Sequence, residues 1–186
     1  MHLFTLEHSL PAYRADFVLY GAASVALAAF LAIAGPRAER MEIAAFVLAG
    51  LASWTLIEYV LHRFVLHGLR PFSSWHEEHH RRPKALICTP TILSAALIAA
   101  LVFLPALFLA DLWRACALTL GVLTGYLAYT ITHHATHHWH GDNAWLRRRK
   151  RWHALHHSPG MRPGHYGVTS AVWDHVFRSD QGRPRG

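Results

Sequence analysis

The stretch "ACALTLGVLTGYLAYTITHHATHHWH", residues 115–140, decides how this chain is read. Its first part, Ala115–Thr132, is uncharged, and a helix needs about 20 predominantly apolar residues to cross the hydrocarbon of a bilayer. Its last eight residues hold five histidines. An apolar span therefore runs directly into a cluster of metal-capable side chains. Three more uncharged runs lie upstream, Phe17–Gly35, Ile43–Ile57 and Ala85–Ala110. The second is short alone, but "LIEYVLHRFVLH" continues its helical pattern to His67. From Met41 that helix would be about 40 Å long, more than the roughly 30 Å of hydrocarbon, so its last turns should stand in the cytosol. Four transmembrane helices result.

The first run is expected to be a retained helix and not a cleaved signal. Residues 1–16 carry Glu7 and Asp16, with no basic leader and no small-residue cleavage site. Span one should stop at Gly35–Pro36, and Pro90 and Pro105 should be tolerated inside span three. "SSWHEEHH" reads as a short helix capped by Ser73 or Ser74. Cys88 and Cys116 should lie near opposite ends of neighbouring spans, too far apart to pair.

A formal charge of +7 could suggest nucleic acid, but its placement argues for topology. Of the 18 Lys and Arg residues, Arg14, five from Arg63 to Lys84 and nine from Arg147 to Arg185 fall on one side of a four-span chain. Only Arg37, Arg40 and Arg114 fall on the other. The positive-inside rule then puts both termini and the histidine segments in the cytoplasm.

Apart from His2 and His8, the histidines form four clusters and two outliers, His165 and His175. The clusters are "HRFVLH" (His62, His67), "HEEHH" (His76, His79, His80), "HHATHHWH" (His133–His140) and "HALHH" (His153, His156, His157). Each H-x-x-H-H copy puts three imidazoles on one helical stripe, and His133/His137 and His134/His138 are i,i+4 pairs. His62 and His67 stand about 140° apart on an ideal helix, so a looser turn or two ions would suit them. Roughly ten ligands are too many for one ion and suit two, in a site of nearly pure imidazole that iron, zinc, copper or nickel could occupy. The expected fold is an all-α integral membrane protein: four transmembrane helices with a cytoplasmic, histidine-rich di-metal cap, one domain over residues 1–186 with its motifs within 56–177.

These motifs, with "EYVLHRFVLH" before them and "HYGVTSAVWDHVF" after, resemble the membrane-bound fatty acid hydroxylase and sterol desaturase superfamily. The similarity is greatest to its fatty acid 2-hydroxylase branch, which closes on G-V-T-S-x-x-W-D-x-V-F. It covers roughly Leu56 to Phe177. The resemblance implies a non-haem di-iron monooxygenase that uses O2 to hydroxylate a C–H bond of a lipid acyl chain, as in fatty acid or sphingolipid 2-hydroxylation. It implies His62, His67, His76, His79, His80, His133, His137, His153, His156 and His157 as metal ligands. Glu58, His134, His138 and Asp174 are candidates to orient them, and which of the interleaved pairs 133/137 and 134/138 faces the metals stays open. Glu77 and Glu78 read equally as orienting groups or as a solvated face. Tyr126 and Tyr129 read as helix packing or as the lining of an acyl channel. Zinc suits the same nitrogens in a purified sample, and no haem or flavin is expected. Some relatives carry a cytochrome b5-like domain that this sequence does not show. Electrons are therefore expected from a separate donor of cytochrome b5, ferredoxin or reductase type. Carotenoid ring hydroxylation and lipid desaturation are the neighbouring reactions. Metal transport fits less well, because transporters place their ligands near the midplane.

Overall fold

The computed structural model describes residues 7–158 and 164–181. Arg162 and the basic tail at 182–186, counted above toward topology, lie outside them. The described residues form helices and no strands, apart from one isolated bridge between Glu7 and Ile87. In order these are α1 (Leu10–Ala34), α2 (Arg40–Val60), α3 (Phe72–Arg81), α4 (Thr91–Ile98), α5 (Leu104–Leu109), α6 (Leu112–His138), α7 (Ala144–His156) and α8 (Val172–Val176). A short 3₁₀ turn precedes α2, and π-helical segments follow α2 (Leu61–Leu66) and α4 (Ala99–Phe103).

Four helical stretches are long and apolar enough to cross a membrane: Leu10–Ala34, Arg37–Leu66, Thr91–Leu109 and Leu112–His138. Two boundaries differ from the sequence reading. The first helix begins at Leu10, because Ser9 caps it and Pro11 occupies its first turn, where no N–H is missed. The third begins at Thr91, so Pro90 precedes the helix instead of interrupting it. Pro105 does sit within the third stretch. It lacks the N–H its helix would use, and the π-helical register of Ala99–Phe103 lies immediately before it.

Contacts divide the chain into two compact units, residues 1–54 with 86–127, and residues 55–85 with 128–186. The first is built on close helix approach. A methyl group on Gly121 would come 2.1 Å from the Val47 carbonyl oxygen, and one on Gly50 would come 2.3 Å from that of Leu118. Small residues at such crossings are how helices associate where lipid removes the hydrophobic drive. Gly125 leaves room for Trp54, and Tyr126 meets Trp54 and Tyr20 edge to face, so it packs between helices. Around this seam the outward side chains are apolar and uncovered, Ile33, Ile92, Phe108 and Leu109 each being more than 80 % exposed. That pattern fits a surface solvated by lipid. At the α5–α6 turn Asp111 accepts from the Trp113 and Arg114 amides, and Arg114 pairs with Glu42. Cys88 and Cys116 are free thiols.

The second unit holds the C-terminal ends of α2 and α6 together with α3, α7 and α8. Its helix α3 starts at Phe72 behind Pro71, with no side-chain cap; Ser73 and Ser74 lie inside the helix and do not cap it. Four clusters of histidines converge here.

Candidate metal centre

The nitrogens of His62, His67, His76, His80 and His156 lie within 4.8 Å of one another, and so do those of His79, His133, His137 and His153. Local helix geometry explains how each side chain arrives. The π-helical segment closes an i→i+5 bond from the His67 amide to the His62 carbonyl, bringing two residues five apart onto one face. Their rings stand 5.3 Å apart. An ideal helix would have splayed them; the looser turn is the one the spacing asked for. His133 and His137 share a face by ordinary α-helical spacing.

The two H-x-x-H-H helices serve both groups, crosswise. In α3, His76 and His80 join the first group while His79, about 60° around the helix from His76 and about 100° from His80, joins the second. In α7, His153 joins the second group and His156 the first. Each group thus has a pair from a long helix, the first histidine of one motif and the second histidine of the other. The correspondence has one gap. His80, third in its motif, belongs to the first group, whereas His157, third in the other, belongs to neither. It stacks on His80 at 4.1 Å and touches His137 and His153 at 5.0 and 4.5 Å. Both of its ring nitrogens are buried without a hydrogen-bond partner among the described residues.

The nitrogens face one another in a way imidazole alone does not satisfy. His76 Nε2 lies 3.0 Å from His62 Nε2 and 3.1 Å from His80 Nε2, yet a neutral imidazole has one N–H and one lone pair. Three ring nitrogens converging on one point call for a shared cation. His67 and His156 approach to 3.1 Å, His79 and His133 to 3.1 Å, and His137 and His153 to 2.8 Å. Nitrogens about 2.0–2.1 Å from a common ion and at right angles would be about 3 Å apart, so the residues present fit two ions. Burial, reinforced by neighbouring imidazoles at every ring named next except His80, keeps these rings neutral and their lone pairs available. It pushes His79 down to about 2 and His67 and His80 to about 4, with His76, His153 and His156 well below their ordinary value.

The first group is held from behind by a loop. His62 Nδ1 donates to the Tyr166 carbonyl at 2.5 Å, and His156 Nδ1 donates to that of Gly164 at 2.6 Å. A carbonyl can only accept, so each Nδ1 carries the proton and each Nε2 turns its lone pair to the group. The loop itself is pinned at successive residues. Asp174, fully buried, accepts from the Tyr166 and Gly167 amides at 2.8 Å and from the Ser179 hydroxyl. Glu58 accepts from the Val168 and Thr169 amides and from the Thr169 hydroxyl. Arg149, buried, donates to the Val168 and Thr169 carbonyls. Gly167 is required: a side chain there would strike the Ser170 carbonyl at 1.8 Å.

Glu58 and Asp174, candidates to orient the imidazoles, bind the loop whose backbone carbonyls accept from the rings. Residue types gave no sign of this, because the acceptors on the rings are main-chain atoms. Arg149 was missed for a different reason: it sits in a basic run and only its position on the His153/His156 stripe of α7 marks it as inward. His134 and His138 stack on each other at 4.6 Å outside both groups, which settles which interleaved pair converges with His79 and His153. His140 is exposed, His165 packs on Trp152, and His175 pairs with Asp180. Glu77 and Glu78 face outward in ion pairs with Arg81 and Arg82. Tyr129 stacks on His133.

Comparison with known proteins follows this geometry. The chain is 35% identical over 147 residues to a dihydroceramide fatty acyl 2-hydroxylase of Arabidopsis thaliana, covering 73% of this chain and 60% of that one. It is 31% identical to a ceramide very long chain fatty acid hydroxylase of Schizosaccharomyces pombe, covering 73% and 42%, and 30% identical to a fatty acid 2-hydroxylase of Rattus norvegicus, covering 76% and 40%. The chain thus spans about 60% or less of the length of these relatives. A solved structure of full-length scs7p, in which only the hydroxylase domain is visible, shares the fold with a TM-score of 0.75 at 24% identity, over 94% of this chain and 70% of that one. With the fatty acid hydroxylase family model matching residues 47–179, well over half of its length, this chain belongs to the fatty acid hydroxylase family.

Proposed function

We propose that the chain is an oxygen-dependent di-metal hydroxylase of a lipid acyl chain, with fatty acid or sphingolipid 2-hydroxylation as its reaction. The observation that carries this reading is the pair of convergent nitrogen groups within a fatty acid hydroxylase family member. The balanced reaction is R–H + O2 + 2 e⁻ + 2 H⁺ → R–OH + H2O. Two irons, when bound, would supply the redox chemistry that activates O2.

The protein's own residues prepare the site. His62, His67, His76, His80 and His156 would hold one ion, and His79, His133, His137 and His153 the other, with His157 as the fifth nitrogen of the second set. Tyr166 and Gly164 carbonyls fix the tautomer of His62 and His156. Asp174, Glu58 and Arg149 pin the loop that carries those carbonyls, at residues 166–169. Basic residues flanking the spans support a multi-pass topology with both termini and the metal site in the cytoplasm, the whole chain acting as one membrane domain.

The test is mass spectrometry of lipids from an iron-replete, reductase-supplied host with and without the protein. Lipids heavier by one oxygen atom should accumulate, and a His79→Ala control should abolish them. Their absence from the wild-type culture, with the protein present and metal-loaded, would sink the proposal.

A further inference from the structure

Two helices supply imidazoles to both groups, and their outer faces differ. On α3 the outward charges cancel: Arg82 pairs with Glu78 at 2.6 Å, and Arg81 lies near Glu77 and Glu78. Helix α7, "AWLRRRKRWHALH", contains no acidic residue. Its buried stripe is Leu146, Arg149, His153 and His156. At 3.6 residues per turn, Arg147, Arg148 and Arg151 fall on roughly the opposite side, and all three are exposed. Among the described residues none of the three forms an ion pair. One helix thus carries an uncompensated cationic face about 10 Å, one helix diameter, from a histidine of each group.

We propose that the Arg147–Arg148–Arg151 face of α7 docks an acidic one-electron carrier protein that delivers the two electrons of the reaction. The inference rests on the hydroxylase reading, whose balanced reaction consumes two electrons. Charge complementarity selects the partner: a cationic face steers an anionic protein and raises its association rate. The site selects the location, since a carrier on this face would have one helix between it and both groups. The neutralised face of α3 offers the same proximity without the attraction.

The experiment uses the full chain in nanodiscs of neutral lipid, with two acidic carriers as probes, a plant-type ferredoxin and the soluble haem domain of cytochrome b5. At least one should bind wild type at low salt and weaken as salt rises. R147E/R148E/R151E should lower its affinity at least ~10-fold, R147Q/R148Q/R151Q by less, and R81Q/R82Q should leave it within about twofold. Product formed with dithionite in place of the carrier should be unchanged in the Glu variant. Failure of both carriers to bind wild type, or equal binding by the Glu variant, would overturn the proposal. So would a Glu variant that loses binding to phosphatidylserine vesicles while carrier binding is unaltered, because the face would then belong to a membrane surface. Normal carrier binding with no product under any reductant would instead remove the hydroxylase reading and leave the docking face standing.

Discussion

The two histidine groups are built alike and finished differently. Each takes a pair from a long helix and one histidine from each H-x-x-H-H motif. The first adds a fifth nitrogen, His80, and backs two of its rings with the Tyr166 and Gly164 carbonyls. In the second, His157 stands beside the group, and the Nδ1 atoms of His79 and His153 are buried with no hydrogen-bond partner among the described residues. Ligand count is therefore one property and ring restraint another. A carbonyl behind an imidazole removes its tautomeric choice and its rotation before any ion arrives, whereas an unrestrained ring must be ordered by the ion itself.

The largest effect should come from testing whether the groups are separate. His79→Ala with His133→Ala strikes one group, and His79→Ala with His156→Ala strikes both. Chelator competition on purified protein should show one ion of the two weakened in the first double variant and both weakened in the second. Equal losses would erase the division.

Removing the restraint should come next. Asp174→Asn takes away a carboxylate that accepts from two loop amides, and disturbing such backing usually costs about 10–100-fold in metal affinity. The loss should fall on one ion of the two in a chelator competition, with thermal stability lower by about 1–3 kcal/mol from the poorly paired buried amides. Uniform weakening of both ions would show that the loop serves both groups.

His80→Ala and His157→Ala sharpen the comparison further. With His157 as the fifth nitrogen of the second group, each variant should weaken one ion by a similar factor. A His157→Ala protein that binds both ions as tightly as wild type would leave the second group at four.

A dependence on pH should be common to both groups. Burial holds His79 near 2, His157 near 3 and His80 near 4 in the folded metal-free chain, against about 6.5 when unfolded. Between about 6.5 and 4 the unfolded chain therefore binds more protons than the folded one. Stability is fully present above about 6.5 and declines as pH falls through that window. Metal-free protein should show a thermal midpoint that drops steadily below about pH 6.5, and a flat profile down to pH 4 would contradict the buried, neutral state of these rings.

Much of this was legible without a structure. Uncharged runs of bilayer length specify helices long and apolar enough to cross a membrane. Period-based spacing specifies that His76 and His80, or His133 and His137, share a face. The five-residue gap between His62 and His67 even signalled a departure from α-helix, though not its form. The beginnings of the spans were less legible, since Ser9 and Pro90 act as local caps within apolar context.

Sequence by itself determined that the chain is helical, that it carries four membrane-length stretches and that its histidines come in metal-binding patterns, because these depend on hydropathy and helical period within single segments. Only the tertiary structure decided which histidines meet. The crosswise sharing of α3 and α7, the position of His157 beside the second group and the carbonyl backing by Gly164 and Tyr166 each depend on how separate segments come together. Their partners are backbone atoms or identical side chains, which no residue pattern can tell apart.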